Sequence, residues 1–184
     1  MTKKLTVSAM LIALATVLAV VSKIIPGTWL WGGSVTLASM LPIAVAGMLL
    51  GTKWGVISAL VYSVLQMIMG FYPPPVQNAL YYFLVVMLDY VLAFGVIGTA
   101  GMFYRLLGKK VWAIPFSCAV VTTLRFACHF ISGILIWGAY AGEGQSVYIY
   151  SLIYNGTYML PEIVITTVSA ALLAGLIKKF EMTD

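Results

Sequence analysis

Long apolar runs recur from one end of this 184-residue chain to the other, broken only by glycine, proline or short clusters of charge. That pattern leaves few folds open. Only 8% of the residues are charged, against roughly a quarter in soluble domains. A soluble domain of this length needs a polar surface over its core, and this sequence lacks the residues to make one. Its surface is therefore expected to face lipid. The first run leads straight into a second and apolar segments continue to the C-terminus, so the first is read as a span and not as a removable leader.

Crossing the hydrocarbon core takes about 20 apolar residues in a helix. Six stretches fit, at residues 5–25, 35–50, 54–70, 76–104, 111–137 and 147–177. The expected fold is an all-α integral membrane protein of six transmembrane helices, a single domain over residues 1–184. Lys3, Lys4, Lys53, Arg105, Lys109, Lys110, Lys178 and Lys179 fall on one side of such an arrangement and only Lys23 among the loop cations on the other. The positive-inside rule then places both termini in the cytoplasm. Both chain ends carry a lysine pair, which calls for an even number of spans. The net charge of +5 resides largely in these flanking groups and not in a stripe, so it marks orientation in the membrane and not nucleic-acid binding. Cys118 and Cys128 lie ten residues apart on one span, roughly 15 Å along a helix and beyond disulfide reach.

The loops expected outside differ from the basic inner ones. Residues 26–34 carry Trp29 and Trp31, residues 71–75 contain Pro73-Pro74-Pro75, and residues 138–146 contain Glu143. Tryptophans there suit an interfacial belt as well as a ligand.

Four ionisable groups fall within spans: Asp89, Arg125, His129 and Glu162. A central Asp or Arg costs about 2.5–3.5 kcal/mol to insert, so each is expected to face the bundle interior with a partner. Arg125 and His129 are four apart and share a helix face, which Ser132 and Trp137 continue outward. Tyr150, Tyr154, Asn155 and Tyr158 stand near the outer end of the sixth span, and Asp89 with Tyr90 sits in the fourth. Such a density of hydrogen-bonding and aromatic groups marks a polar site; the plainer alternative is a set of pairs that only fasten helices together. One histidine and no ligand pair at metal spacing argue against a zinc or iron centre. Neither a Walker A loop nor a dinucleotide fingerprint occurs, so no cofactor is expected and active transport would have to be energised elsewhere. Ser132 lies three residues after His129 without a nucleophile elbow, leaving an intramembrane hydrolase as a weak alternative.

The string Arg125-Phe-Ala-Cys-His129-Phe-Ile-Ser-Gly133 with Trp137, followed by Tyr150-Ser-Leu-Ile-Tyr-Asn155-Gly-Thr-Tyr158-Met-Leu-Pro161, resembles the thiamine-specific S component of energy-coupling factor (ECF) transporters. Gly32-Gly-Ser-Val35, Leu41-Pro42-Ile43 and Leu88-Asp-Tyr-Val-Leu-Ala-Phe94 with Gly98 and Gly101 extend the similarity over nearly the whole chain. The resemblance implies a six-helix subunit of a bacterial cell membrane. Such a subunit captures thiamine near the extracellular face and docks onto one transmembrane protein and two ATPases, which alone use ATP. It implies that the aminopyrimidine is held by Asp89, Tyr90, His129, Tyr150 and Asn155, and that Trp137 stacks on the thiazolium. Asp89 stands where the family also has the longer Glu, and Tyr62 where it has Trp. Trp31 and Thr36 are candidates from the first loop. It also implies that Ala9 and Ala13 contact the shared membrane subunit, and their small-xxx-small spacing, repeated at Ala15 and Ala19, lets another helix approach closely.

The ligand's chemistry agrees with this set: a cationic thiazolium suits a Trp face and a nearby carboxylate, and a flat aminopyrimidine suits polar side chains at its edge. Arg125 would repel that cation but attract a phosphate on a phosphorylated form; its structural role is expected to be pairing with Asp89 or Glu162. A self-sufficient facilitator remains the competing transport reading.

Overall fold

The computed structural model describes residues 1–24 and 35–181, and every regular element among them is helical. We number the helices α1 (Thr2–Ile24), α2 (Met40–Leu50), α3 (Thr52–Gly70), α4 (Ala79–Leu106), α5 (Ala113–Leu135) and α6 (Val147–Lys179). All but α2 are long and apolar enough to cross a membrane. The shortest of these, α3, has 19 residues and reaches about 28 Å at ~1.5 Å per residue, close to the hydrocarbon thickness. Each long helix presents large apolar side chains such as Leu14, Ile68, Phe83, Leu124 and Leu172 on its outer face. Lipid is the natural solvent for them, and this is a multi-pass membrane protein.

The second expected span, residues 35–50, is corrected to an 11-residue helix. Thr36 gives its backbone N–H and its hydroxyl to the Glu162 carboxylate, both at 2.6 Å, and the Leu37 N–H goes to the Ser22 hydroxyl at 2.7 Å. Ala38 adopts φ 56°. With its donors bound sideways and its backbone in the left-handed region, this stretch cannot extend the helix. At about 16 Å, α2 is too short to cross alone. Instead it is apolar on every side and buried by α1, α3, α4 and α6.

Glycine makes that burial feasible. Gly51 (φ 96°) reverses the chain directly from α2 into α3. Further along, a Cβ on Gly55 would fall 2.3 Å from the Gly98 carbonyl oxygen, and one on Gly101 only 1.8 Å from that of Gly47. Thus α2, α3 and α4 meet backbone to backbone. On the other side of the bundle α5 and α6 close over Gly133, where a Cβ would meet the Ser151 hydroxyl at 2.1 Å. Helix α1 applies a narrow face of Ser8, Ala15, Ala19 and Ser22 to the bundle.

Contacts at the two ends fix the antiparallel order. At one, Arg105 binds the Thr52 hydroxyl, Lys109 pairs with Glu181 at 3.3 Å, and Lys178 also pairs with Glu181. Burial alone would push the Glu181 carboxyl up, but Lys178 and Lys109 outweigh it and hold the group below its ordinary range. This tie is therefore present at neutral pH and lost as pH falls through the lowered pKa. At the other end Lys23 donates to the Met69 carbonyl at 3.4 Å.

The glycine junction yields the first prediction. Gly101→Ala should destabilise the protein by about 3 kcal/mol or more, because the new methyl would press on backbone that has no side chain to move aside. Gly95→Ala, whose Cβ would meet nothing within 4 Å, should stay within about 1 kcal/mol of the parent. Unfolding midpoints in one detergent decide between them.

Candidate functional site

Asp89 lies within a π-helical stretch, Val86–Leu92, embedded in α4. Such a stretch re-aims side chains by inserting a wider turn, and it turns Asp89 toward α5. Three donors converge on this carboxylate: His129 Nδ1 at 3.1 Å, the Ser132 hydroxyl at 2.8 Å and the Trp137 indole N–H at 3.0 Å. Trp137 reaches it because α5 ends at Leu135 and the chain tightens into a 3-10 turn at Trp137–Tyr140, so the indole arrives by a turn and not along a helix face. With Nδ1–H given to Asp89, the imidazole presents Nε2 as an acceptor. That nitrogen is buried and has no partner among the described residues. Ser132 and His129 both bind Asp89 and not each other, so they do not form a serine–histidine pair.

Asn155, fully buried on α6, fastens that helix to α5. Its amide nitrogen donates to the His129 carbonyl at 3.1 Å and the Ser151 carbonyl at 2.9 Å, while its oxygen accepts from the Tyr158 hydroxyl. Both amide hydrogens are spent. A carbonyl oxygen has two lone pairs, so what remains is one acceptor position. The Tyr158 ring lies edge-on to His129 at 6.0 Å between centroids.

The expected pairing of Arg125 with Asp89 or Glu162 is corrected: neither carboxylate lies within ion-pair distance of it. Asp89 is taken up by its three donors and Glu162 by Thr36. Arg125 instead lays its guanidinium over the Phe94 ring, 3.9 Å from the centroid, with Nε and Nη1 buried and unpartnered among the described residues.

The other candidates are dispersed. The Tyr90 hydroxyl turns away from Asp89 to the Gly70 carbonyl (3.1 Å), its ring stacked on Phe71. Tyr150 is half-buried, stacked on Tyr154 at 5.7 Å, outside the Asp89 network. Tyr62 is buried, its edge against Phe94 at 5.3 Å and its hydroxyl 3.4 Å from the Ala15 carbonyl. Trp29 and Trp31 lie outside the described residues. Ala9 and Ala13 are exposed on α1, whereas Ala15 and Ala19 face inward. Sequence reasoning passed over Phe94 as the platform for Arg125 and the π-helical turn at Asp89. An aromatic residue mid-span on the same helix as an acidic one was the available signal for the first; nothing in the sequence signals the second.

A helical bundle in lipid whose interior holds a carboxylate, a histidine with an unpartnered acceptor and a tryptophan is a polytopic membrane protein with a polar interior. Residues 5–181 match the model of the family described as thiamine transporter protein. The thiamine transporter ThiT of Bacillus subtilis is 34% identical over 176 residues, covering 88% of this chain and 87% of that protein. ThiT of Lacticaseibacillus paracasei is 31% identical over 148 residues, covering 73% and 70%. A solved structure of ThiT from Listeria monocytogenes superposes with a TM-score of 0.73 over 98% of this chain and all of the other, at 21% identity, and so shares the fold. The chain belongs to the thiamine transporter protein family.

Asp89→Ala would remove three hydrogen bonds and leave the His129 and Ser132 donors without their acceptor, whereas Ser132→Ala removes two, one to Asp89 and one from Trp137, and leaves His129 and Trp137 bound to the carboxylate. The first should therefore lower stability by about 1–3 kcal/mol more than the second. Thermal unfolding of both variants in the same detergent measures the gap.

Proposed function

We propose that this chain binds one thiamine in the interior site bounded by α4, α5 and α6, and delivers it through an ECF module that supplies the ATP hydrolysis. The observation that carries the ligand is the charge of the site. The Asp89 carboxylate at the centre of the site draws on three donors and on no Lys or Arg among the described residues, so a cationic ligand beside it finds a counter-charge. In this reading Asp89 compensates the thiazolium while fixing the His129 tautomer, and His129 Nε2 accepts from the exocyclic amine. Trp137, bonded to Asp89 and stacked by one face on Tyr140 at 6.2 Å, offers its other face to the cation, and Tyr150 lines the approach. The remaining acceptor position on Asn155 faces the same amine-bearing edge. Tyr90 acts through the α3–α4 loop that its hydroxyl holds.

Sidedness follows from charge. The end bearing Arg105, Lys109 and Lys178 is cytoplasmic, together with both termini, and Trp137 opens to the outside. Family membership supports thiamine as the transported ligand. The chain carries no Walker A motif, so an ATP-driven step would be the work of other subunits. The exposed Ala9–Ala13 face is suited to close approach by the module's membrane subunit.

Two outcomes test this. Purified protein should bind thiamine one to one with quenching of tryptophan fluorescence, and His129→Ala should weaken binding by about 1–3 kcal/mol at a temperature where the variant, which loses the bond to Asp89, is still folded. Binding of riboflavin or biotin equal to that of thiamine would refute the assignment. In vesicles, the lone chain should show no ATP-stimulated uptake and should gain it with an ECF module. Ala9→Trp with Ala13→Trp should abolish that gain and leave equilibrium binding intact; lost binding in this variant would show that the two faces are misassigned.

A further inference from the structure

Arg125 is the least satisfied charged group in the described structure. It is only 9% exposed, and its Nε and Nη1 find no acceptor. Glu162, the nearest source of a compensating charge on α6, is wholly buried and uses both carboxylate oxygens on Thr36. Phe94 covers one face of the guanidinium, and a guanidinium donates in its plane, so the ring leaves those donors directed sideways into the bundle. A buried cation left in this state is costly, which calls for an acceptor from elsewhere.

One turn further out on the same face of α5 stands His129, whose buried Nε2 lacks a donor. The two unmet needs are opposite in sense: Arg125 lacks an acceptor and His129 lacks a donor. A free anion answers only the first, and Asp89 and Glu162 set the field against it. Resting on the thiamine reading, we propose that Arg125 is a ligand contact. It donates to the pyrimidine ring nitrogen beside the amino group while His129 Nε2 accepts from that amino group, and the pair thereby selects an aromatic amine with a ring nitrogen next to it. An aminopyrimidine edge carries that acceptor–donor order, and a 4-oxo edge reverses it.

The experiment is equilibrium binding of three ligands to the intact detergent-solubilised chain. They are thiamine, its 4-oxo analogue, and the N1′-pyridyl analogue in which CH replaces the nitrogen beside the amino group. The parent protein should prefer thiamine to each analogue by about tenfold or more, as sites built to hydrogen-bond a polar atom do. Arg125→Met should lower thiamine affinity about tenfold yet hold the N1′-pyridyl analogue within about twofold of the parent, so that the preference for the ring nitrogen collapses. Arg125→Lys should restore part of it. Equal weakening of both ligands by Arg125→Met would assign the residue a structural role and overturn the proposal. So would a parent protein indifferent to the ring nitrogen, a comparison that needs no variant to fold. Absence of thiamine binding by the parent would instead overturn the functional reading beneath it.

Discussion

Lipid offers no hydrogen bonds, so every polar group drawn into this bundle must be answered from within it. The Asp89 carboxylate is where that demand concentrates. It gathers a donor from each of three positions on and beyond α5 and joins α4 to the outer half of that helix. Remove its charge and the histidine tautomer, the indole's pose and the α4–α5 register lose their common reference. The π-helical turn in α4 exists at the one place where a regular helix would aim this side chain elsewhere.

A second ring of satisfaction holds α5 to α6. Asn155 bridges two carbonyls on separate helices and is itself held by Tyr158, while Ser151 donates to the Phe130 carbonyl at 2.7 Å. Gly133 lets the helices approach closely enough for these bonds, since a Cβ there would meet the Ser151 hydroxyl at 2.1 Å and the Asn155 amide nitrogen at 2.8 Å. The same side chains that shape the interior thus also set the distance between its walls. A substitution at Asn155 therefore disturbs both at once.

Much of this was legible in the residues. Span positions followed from hydropathy because lipid sets a minimum apolar length for a crossing helix, and Asp89, His129, Ser132 and Trp137 stood out because polar groups are expensive there. The second span misled, since residues 35–50 are apolar throughout and apolarity alone does not separate a crossing helix from a buried one. What cut it short was Glu162, 126 residues away, which no local pattern announces. The partner of Arg125 was misjudged for a related reason. Counting charges pairs it with a carboxylate, but both carboxylates were already claimed, one of them by an uncharged threonine. Tyr90 shows the opposite limit: its neighbour in sequence sits at the heart of the site while its own hydroxyl serves the α3–α4 loop.

The glycine junction divides the molecule mechanically. Between α2, α3 and α4 the surfaces in contact are peptide groups, which have no rotamers to exchange, so the three helices can only travel together. Around Asn155, Tyr158 and Trp137 the contacts are made by side chains that turn about their own bonds. One wall of the interior is therefore a fixed anvil and the other an articulated jaw. Whatever volume the site gains or gives up as its contents change must be taken from the α5–α6 side.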